Sequence, residues 1–392
     1  MSFIHKNIKA LSKKLNIFII VILALIFISL IILSGSLMKK ETMESFDNKN
    51  ENIQEKKLLV DHYNKKHKLL YTFDKYRPNF IFVSIASYRD DECMTTIKSL
   101  YEKAQNPHRV ICGICSQNKD EKEECVPKDF PYKDKIRVIR LKHTEAKGPT
   151  WARYLASHLW NGEEYFLQID SHLKMKDNWD ERVIKMYQDC PSKKSILTHY
   201  PPEDEKDNNS TYTCSSHYEN NFHIISEAQI ISKRDKPFMT PYVSAGFLFG
   251  KYTFLNEVPF DPYLPYLFQG EEILLATRFW TNGWDIYNLT EPMCVHNYSR
   301  DKKPRFWNDN SHQEWHTVQQ ESNKRYYYFI GQKKPEDIEQ LLKKNEDYFG
   351  MGRERTVQSW FEFAGIDPKT KKVTSRCKSM YNLETKQWEP LK

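Results

Sequence analysis

The sequence predicts an α/β fold, a mostly parallel sheet flanked by helices, and three observations carry that expectation. Short continuous apolar runs, Phe80–Ala86 first among them, read as strands buried on both faces. Segments of helical periodicity alternate with these runs, as they do in βαβ units. Polarity then flips at the ends of the runs, at Ser87-Tyr88-Arg89-Asp90, Ser116-Gln117-Asn118 and Asp170-Ser171-His172. Ligands of such sheets bind beyond the carboxyl ends of the strands, so these three clusters mark the expected site. No G-x-G-x-x-G or Walker A pattern is present, which argues against a dinucleotide fold and a P-loop.

The chain begins with a basic segment, residues 1–16, carrying Lys6, Lys9, Lys13 and Lys14 and no acid. From Ile17 to Leu33 every residue except Ser29 is apolar, and the stretch extends to Met38. That is roughly the twenty residues a helix needs to cross a bilayer. A signal peptide is the alternative, with Ser34-Gly35-Ser36 as its weak cleavage candidate. The reading taken is an uncleaved anchor at 17–38. The lysine bias keeps residues 1–16 cytosolic and makes a single-pass type II membrane protein, its larger part in the lumen of the Golgi or endoplasmic reticulum. The net charge of +7 comes mostly from six lysines in the first forty residues, beyond which 53 basic face 52 acidic residues. Composition therefore gives no support for nucleic-acid binding.

Residues 39–78, charged and glycine-free, read as a stem, and the folded domain is expected at 79–310. After the Phe80–Ala86 strand, Met94, Ile97, Leu100 and Tyr101 give a helix that ends before Asn106-Pro107. Strands follow at Arg109–Cys115 and Lys135–Leu141. Cys112 and Cys115 stand three apart on the first of these and face opposite ways, which disfavours zinc or dithiol chemistry. Gly148-Pro149 opens a helix through Ala152, Leu155 and Leu159, and Phe166–Ile169 is the next strand. Trp179–Cys190 reads as a helix, Ser195–His199 as a strand, and 201–220 as a long exposed loop. The small and apolar Val243–Gly250 follows, then a helix from Phe268 with Glu271 and Glu272 in its first turn, and a short strand, Met293–His296. Residues 311–392 are expected to form a helical extension. Eight cysteines permit up to four disulfides, and sequons stand at Asn208, Asn209, Asn288 and Asn297.

The chemistry centres on Asp170 and His172. Residues two apart on an extended backbone point to one side, so this carboxylate and imidazole can share one divalent cation. A diphosphate leaving group needs such a cation to offset its charge. A solvated strand end is the alternative for this pair.

Several motifs resemble one family. Ser84-Ile85-Ala86-Ser87-Tyr88-Arg89-Asp90-Asp91-Glu92-Cys93, Gly148-Pro149-Thr150-Trp151-Ala152-Arg153 and Gln168-Ile169-Asp170-Ser171-His172 are followed by Gly246-Phe247-Leu248-Phe249. Gly270-Glu271-Glu272 with Arg278, and Gly365-Ile366-Asp367, complete the set. In this order, over roughly residues 80–370, they resemble the polypeptide N-acetylglucosaminyltransferases of slime moulds and protozoa that modify hydroxyproline or Ser/Thr. The resemblance implies a GT-A nucleotide-sugar transferase fold, UDP-GlcNAc as donor, a Mn²⁺ or Mg²⁺ ion, a polypeptide acceptor and retention at the anomeric carbon. It implies that Asp170, His172 and His296 hold the metal, with a satisfied strand-end histidine as the alternative for His296. Ser87, Arg89 and Asp90 fall where the family places uridine and ribose, although Arg89-Asp90 also fits a helix cap. Arg153 is expected at the diphosphate, and Gly246 where the backbone approaches the donor. Glu271 and Glu272 orient the sugar or acceptor, or one of them attacks as a nucleophile. Trp284 either stacks on the sugar or belongs to the core. The rival readings are a degenerate transferase that only binds glycans or nucleotide sugars, a UDP-GalNAc or UDP-hexose donor, and a lumenal phosphoesterase.

Overall fold

Along β1 (Arg77–Tyr88) the side chains alternate between two cores, and this alternation sets the layers. Ile81, Val83 and Ile85 enter one apolar cluster and Phe82 enters the other. The computed structural model describes residues 71–391 apart from 127, 221–222, 300–302, 311–312 and 334–342. The expected cytosolic tail, the anchor at 17–38 and most of the stem lie outside the described residues. Among the described residues, no helix is long and apolar enough to cross a membrane.

Strands β2 (Val110–Asn118), β3 (Ile136–Lys142) and β4 (Glu163–Asp170) join β1 in parallel, in the order β3-β2-β1-β4. Ile85 lies opposite both Ile114 and Ile169, and Ala86 opposite Asp170. The parallel strands need crossover connections, and helices supply two of them. Helix α1 (Cys93–Glu102) returns over the face of Ile81 and Val83, and α2 (Pro149–Ser157) over the face of Phe82. Gly148 opens α2 with φ 88°, which glycine adopts without strain, and Pro149 suits the first helical turn. Helix α3 (Trp179–Gln188) packs on the α1 side.

The sheet continues through β10 (Phe247–Lys251), β6 (Ser195–Thr198), β11 (Asp285–Asn288) and β9 (Phe238–Met239). β10 runs antiparallel to β4 and to β6, while β6 and β11 are parallel, so the eight-stranded sheet is mixed and mostly parallel. Because β10 is antiparallel, its amino end lies at the carboxyl end of β4, which brings Gly246 to the site. Off the sheet, β5 (Leu173–Met175) pairs antiparallel with β12 (Cys294–His296), Leu173 opposite His296. The long polar loop expected at 201–220 is a loop only to Asn209. β7 (Ser210–Glu219) forms a hairpin with β8 (His223–Ile231), its β-branched and aromatic Thr-Tyr-Thr run suited to a strand and buried.

Helix α4 (Phe254–Glu257) is one turn, and α5 (Glu271–Thr281) packs on the Phe82 face with α7 (Gln313–Phe329) and α9 (Val357–Ala364). α6 (Phe306–Asp309) and α8 (Glu346–Phe349) are single turns. The helical extension stops at Ala364. Beyond it stand two hairpins, β13 (Ile366–Asp367) with β14 (Lys372–Val373), and β15 (Ser379–Asn382) with β16 (Gln387–Pro390). Gly365, at φ 75°, ends α9, and local turns then favour short strands over another helix.

Cys112 and Cys115 are buried in opposite cores, as the strand spacing requires. Two disulfides form, Cys93–Cys125 and Cys214–Cys377, and the other four cysteines are thiols. The sequon residue Asn288 is fully buried within β11 and closed to glycan attachment, whereas Asn208, Asn209 and Asn297 are exposed.

The Cys214–Cys377 bridge closes a span of 163 residues and ties β7 to the C-terminal hairpins. Replacing both cysteines by alanine is expected to cost about 2–5 kcal/mol. Thermal unfolding measured beside the wild type checks this, and an unchanged Tm counts against the tether.

Candidate active site

Four ends of chain meet at one edge of the sheet. β4 delivers Asp170, β6 delivers Tyr200, the turn before β10 delivers Ala245 and Gly246, and the amino end of α5 delivers Glu271 and Glu272. Together with His172, His296 and Arg153 they line a cleft of about 590 Å³. That volume is in the range of small-molecule sites.

Asp170, His172 and His296 offer ligand atoms that lie within 4.8 Å of one another. The Asp-x-His spacing brings the first two together, and the β5–β12 pairing brings the third. His296 Nε2 stands 3.4 Å from Asp170 Oδ2, and the two imidazole rings meet edge to face with centroids 4.6 Å apart. One carboxylate oxygen and two imidazole nitrogens form a donor set that fits a divalent cation. Gly246 lies close beside it, and a Cβ there would stand 3.0 Å from Asp170 Oδ2 and crowd the carboxylate.

Arg153 joins this group to α5. Its guanidinium donates to Asp170 Oδ1 at 2.8 Å and also to Glu271 Oε2. Burial opposes the charge on Arg153, but Glu271 and Asp170 outweigh it and hold the guanidinium firmly protonated. Burial likewise acts to raise Asp170, yet the His296 hydrogen bond and the Arg153 charge hold its carboxyl well below the usual carboxylate range. Burial pushes the Glu271 carboxyl up, against the charge and hydrogen bond of Arg153.

Glu272 is a brace. It accepts from the Ala245 backbone N–H at 2.8 Å, from the Ser226 hydroxyl at 2.8 Å and from the Tyr200 hydroxyl. Burial pushes its carboxyl up against those bonds. Through it α5, the turn before Gly246 and β8 hold one another.

The other expected residues lie elsewhere. Trp284 is 1% exposed and packs on Phe254 and Phe279, its indole donating to Glu257 at 2.9 Å, so it is a core residue with no face to offer a sugar. Ser87 is fully buried, because β1 turns Ala86 and Tyr88, its neighbours, toward the cleft. Arg89, with φ 46°, pairs with Glu123 at 3.0 Å and Asp309 at 2.6 Å at the rim. Asp90 is 1% exposed and faces His172 and Ser171 behind the cleft lining. Sequence reasoning missed Tyr200, Tyr298, Phe268 and Trp307, which line the cleft as well. Tyr298, two residues after His296, and the Phe306-Trp307 pair after Pro304 were the available signal.

The family model described as glycosyltransferase (GlcNAc) matches residues 80–132 and 129–370. The chain belongs to that family of glycosyltransferases. No curated protein matches its sequence. Among solved structures, it is similar to GalNAc-T7 with UDP, GalNAc and Mn²⁺, at a TM-score of 0.49 and 13% identity over 72% of this chain. It spans 56% of the length of that chain. It is also similar to S. aureus TarS 1–349 in complex with UDP-GlcNAc, at 0.40 and 12% identity, covering 66% of this chain and 77% of that one.

For this glycosyltransferase the geometry separates core from site at Trp284. Trp284→Ala is expected to cost about 3–5 kcal/mol of stability, as for other buried large side chains. A melt settles this, since a Trp284→Ala variant as stable as wild type would return the residue to the cleft.

Proposed function

We propose that the chain transfers N-acetylglucosamine from UDP-GlcNAc to a hydroxyl of a polypeptide, on Ser, Thr or hydroxyproline, with a divalent cation and with retention at the anomeric carbon. The observation that carries the reading is the meeting of Asp170, His172 and His296 on the wall of a cleft at the carboxyl ends of β1 and β4. The family description supports GlcNAc as the sugar. Asp170, His172 and His296 would hold Mn²⁺ or Mg²⁺, which supplies positive charge against the diphosphate as it leaves.

The acceptor oxygen bonds to the anomeric carbon while the bond from that carbon to the β-phosphate oxygen breaks. The departing UDP takes the hydroxyl proton, so bonds and charge balance without a protein base. The roles of the carboxylates support this front-face course over a covalent sugar–enzyme step. Glu272 has both oxygens occupied by Tyr200, Ser226 and the Ala245 N–H, and Glu271 is tied to Arg153. A carboxylate so engaged is a poor nucleophile. In this reading Arg153 fixes Asp170 and Glu271 beside the phosphates, and Glu271 orients the sugar.

We also place the protein as a single-pass type II membrane enzyme, its catalytic part in the secretory lumen. The two disulfides suit an oxidising compartment.

UDP release by the purified full-length protein, from UDP-GlcNAc, UDP-GalNAc and UDP-Glc, with Mn²⁺ or EDTA, tests the reading. Release from UDP-GlcNAc that EDTA abolishes is expected, and preference for another donor or indifference to EDTA contradicts it. Asp170→Ala is expected to lower turnover on the order of 100-fold or more, and to lower the melt as well, because it takes one of the two carboxylates from buried Arg153. Wild-type rates in that variant under saturating Mn²⁺ would remove Asp170 from the site.

A further inference from the structure

We infer that Asp90 is a positioning residue that fixes the tautomer and direction of His172 for metal ligation; this rests on the metal reading above. Asp90 stands two residues beyond the end of β1 and is 1% exposed, so its carboxylate is spent inside the protein and not on a ligand in the cleft. Its Oδ2 lies 2.8 Å from His172 Nδ1 and accepts from the Ser171 hydroxyl at 2.6 Å. Its Oδ1 accepts from the Glu92 backbone N–H at 3.1 Å. With two other donors pointing at it, the carboxylate is the accepting partner of the imidazole. The proton of neutral His172 therefore sits on Nδ1, and Nε2 is the nitrogen with the lone pair. A carboxylate behind a ligating histidine sets the ring orientation and raises its basicity toward a metal.

The backbone on both sides of His172 is held from the same segment. The Thr96 hydroxyl donates to the Ser171 carbonyl at 2.8 Å and accepts from the Leu173 N–H at 2.9 Å, bracketing the histidine. The Cys93–Cys125 disulfide anchors the start of α1, which carries Thr96. The stretch Asp90–Thr96 thus clamps the ring through Asp90 and the main chain through Thr96. Such a clamp is costly to build, and a histidine that merely ended a strand would not need it.

The test is Mn²⁺ binding followed by electron paramagnetic resonance on the full-length protein, for wild type, Asp90→Asn and His172→Ala. The amide keeps the size of the side chain but loses the charge and can present its NH₂ to Nδ1. Asp90→Asn is expected to weaken Mn²⁺ binding about 10–100-fold, and His172→Ala at least as much. If wild type and His172→Ala differ but Asp90→Asn binds like wild type, the role of Asp90 is overturned while the metal site stands. If wild type binds no Mn²⁺, or His172→Ala binds as wild type does, the metal reading itself fails and takes this inference with it. A second measurement does not depend on the variant folding. The ¹⁵N shifts of the His172 ring in the metal-free wild type should report protonated Nδ1 and unprotonated Nε2, and the reverse pattern overturns the inference.

Discussion

The pairing of β4 with parallel β1 on one side and antiparallel β10 on the other is the constraint from which the site follows. Parallel register with β1 puts Asp170 beside Ala86, at the edge where β1 and β2 also end. Antiparallel register with β10 puts Phe247 beside Ile169, so the chain arrives at that edge as a glycine. A side chain at 246 would crowd the Asp170 carboxylate. The approach of α5 then supplies Glu271 to Arg153, and the β5–β12 ladder supplies His296. Asp170, His296 and Glu271 each stand at the end of a regular element, while Arg153 lies within α2.

The electrostatics follow from the same packing. Arg153 lies on α2, 5% exposed, and could not stay charged there without carboxylates. Its two partners are Asp170 and Glu271, so the buried cation is matched. The arrangement costs desolvation, which only firm pairing can offset.

Much of this was legible in the chain itself. The runs Phe80–Ala86, Arg109–Cys115 and Phe166–Ile169 lie in parallel strands because continuous apolar stretches need cover on both faces. Asp170 and His172 line the same cleft, as their spacing suggests, although the chain bends between β4 and β5, and Cys112 and Cys115 are parted because they stand three apart on one strand. What stayed hidden depended on distant partners. Trp284 follows a helix in the sequence, and only the packing of Phe254 and Phe279 shows it to be core. Asp90 reads as a donor contact or a helix cap, and only the fold brings it to the His172 ring. The β7–β8 hairpin was masked by the polar stretch before it, although its Thr-Tyr-Thr run carried a strand signal. Likewise the aromatic residues near Trp360 suggested helix, and that helix ends at Gly365, before the hairpins.

The central claim is that Asp170, His172 and His296 form one metal site in the cleft of a glycosyltransferase. Anomalous diffraction from crystals grown with Mn²⁺ and UDP tests it most directly. The account predicts a single manganese peak within coordination distance of all three side chains and of the diphosphate. A peak bound elsewhere, or nucleotide bound with no manganese among these residues, would contradict it.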